Sequence, residues 1–230
     1  MNAAFRSLLM LLVAGAASAS LSAADLSGIS NTEAVSGLKQ ALTDGSAAAV
    51  AKLGVTDGFL ANPKVKIPLP PTLQRVESML RFAGMNQQAD DLVVAMNRAA
   101  EAAVPEAKTL LVESVRKMTV QDARGILSGG DTAATDYFKR TTQAELTKRL
   151  LPVVKKATDK VGLAVQYNSL TGQAAQFGLM KGEDSTVEGY VTAKALDGLY
   201  LMIAEQEKAF RQNPMQATSD IVKRVFGAMR

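Results

Sequence analysis

The chain of 230 residues contains no cysteine, no histidine and no tryptophan. Without cysteine there is no disulfide, no thiol nucleophile, no thiolate metal ligand and no residue to carry an N-terminal lipid anchor. Without histidine the commonest general base and the commonest protein ligand for zinc or copper are both missing. Aromatic residues make up only 5 % of the chain, too few for a carbohydrate-stacking platform. These absences predict a protein that is not an enzyme and needs neither cofactor nor metal. Stability then has to come from aliphatic packing, for which a hydrophobic share of 47 % is sufficient.

The N-terminus has the form of a secretory signal peptide. Met1–Arg6 is short and basic, Ser7–Ala17 is mostly apolar and uncharged, and small residues follow at Ala17-Ser18-Ala19 and Ser22-Ala23-Ala24. Cleavage is expected after Ala19 or Ala24. The apolar run is too short to span a bilayer of roughly 30 Å, and no second run of spanning length follows. The expectation is therefore an exported, periplasmic chain with one helical domain over residues 25–230, a normal domain size.

The formal net charge is +4, and removing Arg6 with the signal lowers it by one. Both signs alternate along most segments, as on solvated helix faces, and nothing in them marks a nucleic-acid surface. Residues 139–160 are locally basic, with Lys139, Arg140, Lys148, Arg149, Lys155, Lys156 and Lys160 against Glu145 and Asp159. Such a stretch can contact an anionic surface weakly, although the interspersed acids favour a helix flank.

Periodicity predicts an all-α, multi-helix bundle of roughly seven to nine helices. Ser30 and Glu33 form an S-x-x-E capping box ahead of Val35, Leu38, Leu42, Gly45, Ala49 and Leu53, one face of a helix. Asp57-Gly58 turns the chain. Phe59–Pro71 then alternates Val65, Ile67 and Leu69 with Lys66 and Pro68, predicting a small extended or β-ribbon strap near residues 59–71. A helix from Thr72 is stopped by Gly84. The next buries Leu92, Met96, Ala99 and Ala103, with Asp90, Asn97 and Glu101 on another stripe and Arg98 placed to pair with Glu101. Pro105 either kinks this helix or begins another.

The ladder Ala134, Phe138, Thr142, Leu146, Leu150 and Val154 marks a long helix ending near Gly162, with Pro152 expected to bend it. Residues 163–184 are the least regular. Ser185 and Glu188 predict a third capping box, opening a broadly apolar helix with Leu196, Leu199, Ile203 and Phe210. Asn213-Pro214 is expected to cap a final helix holding Ile221, Val222, Val225 and Phe226.

The most polar corner lies at residues 119–142. Thr119 and Asp122 have capping-box spacing, Gly129-Gly130 are expected to end the first helix through positive φ, and Asp131 fits the N-cap of the next. Glycines before a helix N-terminus can cradle phosphate. Here no lysine follows the second glycine, and an Asp131 cap would occupy the amides and repel an anion. Asp122, Asp131 and Asp136 could supply oxygen ligands to a divalent cation, but each has a capping or surface explanation. No carboxylate pair is marked out for hydrolysis.

The runs GFLANPKVKIPLP, MNRAAE, MTVQDARGILSGGDTAATDYFKRTT, YVTAKALDGL and IVKRVFG together resemble an exported bacterial family known as domain of unknown function 4197. The resemblance extends from about Ser30 to Gly227. It implies an all-helical envelope protein and supplies no catalytic residues to transfer. The expected function is binding of an envelope protein or small ligand through the 119–142 corner, with Arg98, Asp122, Gly129, Gly130, Asp131, Thr132, Thr135, Tyr137 and Arg140 as candidate site residues. The alternative is an apolar ligand or lipid held in the bundle interior, suggested by ten methionines; a carboxylate-dependent hydrolase ranks last.

Overall fold

In the computed structural model, described over residues 30–70, 74, 86–160, 162, 165, 167, 186–216 and 219–227, helices carry the fold. Helix α1 (Asn31–Leu53) begins where the sequence pattern places it. The Ser30 hydroxyl accepts from the Glu33 amide at 3.2 Å, and the Glu33 carboxylate accepts from the Ser30 amide at 3.0 Å. Helix α2 (Asn86–Ala103) runs into a 3-10 turn at Val104–Glu106 that contains Pro105, and α3 (Ala107–Lys117) follows. Proline lacks the amide an α-helix interior needs, so the chain changes helix type there. Helices α4 (Val120–Leu127) and α5 (Ala133–Asp159) flank the glycine corner. Then come α6 (Val187–Gln212) and α7 (Asp220–Gly227).

Helix α6 sits in the middle, packed against α5, α1 and α2, while α5 also meets α2, α3 and α4. The α5 ladder is buried from Ala134 through Val154 and continues to Thr158, one turn beyond the expected stripe. Leu38, Leu53, Phe59, Met96, Leu111, Phe138, Leu146, Leu199 and Met202 complete one continuous core.

The strap is present in burial but not in pairing. Val65, Ile67 and Leu69 are buried while Lys64, Lys66 and Pro68 are exposed, the alternation read from the sequence. Yet no strand occurs among the described residues, so the β-ribbon expectation fails. The cause is a substitute partner. Buried Asn97 on α2 accepts from the Ile67 amide and donates to the Ile67 carbonyl, both at 2.8 Å, satisfying the groups a neighbouring strand would have taken. Glu101, one turn on, accepts from the amides of Phe59 and Leu60 at 3.0 and 3.1 Å. On the far side the strap presses on α6 at Gly198, where a Cβ would stand 2.8 Å from the Phe59 ring.

Several caps differ from expectation. Thr186, not Ser185, caps α6, its hydroxyl accepting from the Gly189 amide at 3.1 Å. Pro214 opens a 3-10 turn (Pro214–Gln216), and the last helix starts only at Asp220. Positive φ occurs among the described residues at Asp57 and Gly162, not at Gly129 or Gly130. The expected signal peptide at residues 1–24 lies outside the described residues. So does the helix expected from Thr72 to Gly84, apart from Gln74, and residues 163–184, apart from Val165 and Tyr167.

Candidate functional site

Helix α4 opens on the expected box. The Thr119 hydroxyl accepts from the Asp122 amide at 3.1 Å, and the Asp122 carboxylate accepts from the Thr119 amide at 3.1 Å and hydroxyl at 2.6 Å. Those two bonds from Thr119, with Arg140 adding a smaller contribution, hold the Asp122 carboxyl below its usual range. The chain turns after Leu127. Gly129 is required by space: a Cβ there would meet the Ala133 Cβ at 2.5 Å and the Gly125 carbonyl at 2.7 Å, whereas Gly130 faces open space.

The expectation that Asp131 caps α5 is overturned. The N-cap is Thr132, whose side chain makes no cap bond and instead reaches Asp136 at 3.2 Å; Asp131 is exposed. The α5 amides are held by a carboxylate from another helix. Glu207 on α6 accepts from the amides of Ala134 and Thr135 at 2.9 and 3.0 Å and from the Thr135 hydroxyl at 3.0 Å. Arg211, one turn later, donates to Glu207 at 2.9 and 3.2 Å and to the carbonyls of Ile126 and Gly129 at 2.9 and 3.4 Å.

One ion pair, with side chains only 3 % and 13 % exposed, thus serves both sides of the corner. The acid meets the positive end of α5 and the base meets the negative end of α4, the orientation each helix dipole favours. The exclusion of an anion from these amides stands, with Glu207 in the role assigned to Asp131. The sequence offers Glu207 only as one of several carboxylates without a marked partner, and does not point to Arg211. The signal is there: Glu207 falls on the same stripe as Leu196, Leu199, Ile203 and Phe210, and a charged residue on a buried stripe needs a partner.

Beside the corner, the structure brings three of the candidate residues together. Asp122, Tyr137 and Arg140 line an open groove of about 270 Å³ between α3, α4 and α5, with Leu110, Glu113, Ser114, Lys117 and Thr141. Tyr137 is buried to its hydroxyl, which donates to the Ser114 carbonyl at 2.7 Å. The Arg140 guanidinium lies 5.6 Å from the centre of the Tyr137 ring and 3.7 Å from Asp122, with 64 % of its side chain exposed. The ring face orients the cation while leaving its donors open to a ligand.

The other candidates are elsewhere. Arg98 binds Asp57 at 2.8 Å and Glu101 at 2.6 Å, closing the strap onto α2. Thr135 is committed to Glu207; Gly130, Asp131 and Thr132 are exposed outside the groove. Among the described residues no group of three acids is placed to hold a metal ion. Of the buried carboxylates, Glu101 and Glu207 are taken up by backbone amides and arginines.

Two further spaces bear on ligand binding. The interior pocket between α1, α5 and α6, lined by Leu38, Phe138, Ile203 and Phe210, holds only about 10 Å³, at the lower limit for one water. A larger open groove of about 520 Å³ lies between α1 and the α3–α4 junction, lined by Val35, Lys39, Val115, Arg116 and Val120; it contains no candidate residue. No helix among the described residues is long and apolar enough to cross a membrane.

Residues 28–227 match the family described as "Protein of unknown function (DUF4197)". No curated protein and no solved structure matches the chain.

Proposed function

The chain belongs to the DUF4197 family, and on that premise we propose that it is a non-enzymatic protein of the bacterial envelope that binds a partner through the groove of Asp122, Tyr137 and Arg140. One observation carries the reading: an exposed arginine is oriented over a buried tyrosine ring, in a groove that packing leaves open. Arginine over an aromatic ring is a common component of interface anchors. Two of the acids, Glu101 and Glu207, are bonded into the scaffold, which supports a structural use for them over hydrolysis. The basic n-region and small-residue cleavage sites of residues 1–24 support export. Among the described residues, the space between α1, α5 and α6 is about 10 Å³, too small for a lipid at that place.

Arg140→Ala and Lys117→Ala, both at exposed positions, should leave the thermal transition within about 0.5 kcal/mol of wild type. Affinity capture from a periplasmic extract should yield a partner with wild type and with Asp131→Ala, which lies outside the groove, and lose it with Arg140→Ala. Equal recovery with Arg140→Ala would refute the assignment.

A further inference from the structure

The second half of α5 has an outer face that takes no part in the groove. From Lys148 to Lys160 the helix buries Leu150, Val154 and Thr158 and exposes five cations. Two are neutralised on the helix itself, Lys148 by Glu145 at 3.5 Å and Lys155 by Asp159 at 3.2 Å. Arg149, Lys156 and Lys160 have no acidic partner among the described residues. Steps of seven and four residues put these three on one side of the helix, along roughly 16 Å of its length.

The acids within reach are committed to other cations: Glu145, four residues before Arg149, meets Lys148, and Asp159, three after Lys156, meets Lys155. Lys156 and Lys160 lie in and just past the last turn, where the negative helix end accommodates them, and their outward charges remain available to an external anion. No aromatic residue stands between Arg149 and Lys160 for a base to stack on. Exposed Pro152 flanks the stripe.

We propose that this stripe is a docking surface for a bilayer rich in anionic lipid, with α5 lying along the headgroups. A planar array of phosphates can meet Arg149, Lys156 and Lys160 at once. Each basic residue brought near an anionic surface strengthens partitioning roughly fivefold at low salt, so removing three should weaken it on the order of a hundredfold. None of the three lines the groove, so this proposal and the partner reading stand or fall separately.

The test is co-sedimentation of the purified chain with vesicles of phosphatidylcholine, with and without phosphatidylglycerol. Wild type should bind only the anionic vesicles, and salt should release it. Arg149→Gln/Lys156→Gln/Lys160→Gln should lose most of that binding. Lys52→Gln/Lys66→Gln/Lys108→Gln, equal in charge and exposed elsewhere on the surface, should keep most of it. Absence of binding to anionic vesicles overturns the proposal, as does equal loss in the two triple variants. Retention on a sulfated polysaccharide without vesicle binding would assign the stripe to a soluble polyanion and also overturn it.

Discussion

Replacing Glu207 by alanine is the sharpest test of how the corner is held. The change removes acceptors from the Ala134 and Thr135 amides and the Thr135 hydroxyl, and leaves Arg211, only 13 % exposed, without its carboxylate. Truncating one partner of a buried charge pair costs about 3–5 kcal/mol, because the other charge stays buried and uncompensated. Taking a urea slope of about 2 kcal/mol per molar, the midpoint should fall by roughly 2 M. Glu207→Gln keeps the shape and one acceptor oxygen, so its loss should be smaller. Glu207→Leu combined with Arg211→Met removes the uncompensated charge and should recover part of the deficit, giving a coupling that a double-mutant cycle reads directly. The Gly129 carbonyl and the two α5 amides remain orphaned in the double variant, while the Ile126 carbonyl keeps the Gly129 amide at 3.3 Å, so recovery should be incomplete. A loss below about 1 kcal/mol for Glu207→Ala, the range of an exposed pair, would show that the reasoning about burial is wrong.

Three further outcomes follow from the geometry. Gly129→Ala should destabilise by about 1–3 kcal/mol through its clash with Ala133 and the Gly125 carbonyl. Gly130→Ala, with open space and no positive φ, should be neutral or stabilise by about 0.4–1 kcal/mol; thermal melts of the two variants side by side decide this. Asn97→Leu orphans the amide and carbonyl of Ile67 at about 1–3 kcal/mol each, and the Ile67 amide should exchange with deuterium far faster than in wild type. Asp122 has its carboxyl held below the usual range by Thr119, so its stabilisation is complete above the ordinary carboxylate pKa and is lost as pH falls through the lower folded value. The stability gap between wild type and Asp122→Ala, measured by denaturation across pH, should therefore close toward acid; a gap that widens there would contradict the capping role.

Local chemistry was legible without coordinates wherever a residue's role depends on neighbours a turn away. The Ser30–Glu33 and Thr119–Asp122 boxes, the α5 ladder and the Arg98–Glu101 pair all span four residues or fewer per step, a separation the helix itself imposes. The same locality explains the reading of the strap's buried face at Val65, Ile67 and Leu69. What failed was each choice among rival partners for one backbone group. Asp131 was adjacent in sequence and chemically suited to cap α5, but Glu207 reaches those amides from 72 and 73 residues away. Asn97 displaced a strand partner for Ile67 across 30 residues.

By itself, then, the sequence determined the helical class, the family, the lack of thiol and imidazole chemistry, and most of the buried stripes, because periodicity and composition are properties of the chain alone. Only the tertiary structure decided that the glycine corner is clasped shut by an ion pair from α6, and that Asp122, Tyr137 and Arg140 meet in a groove while Arg98 does not. A hydrogen bond between distant residues depends on how whole helices dock. Docking is set by the summed packing of the core, and no single stretch of the chain carries that information.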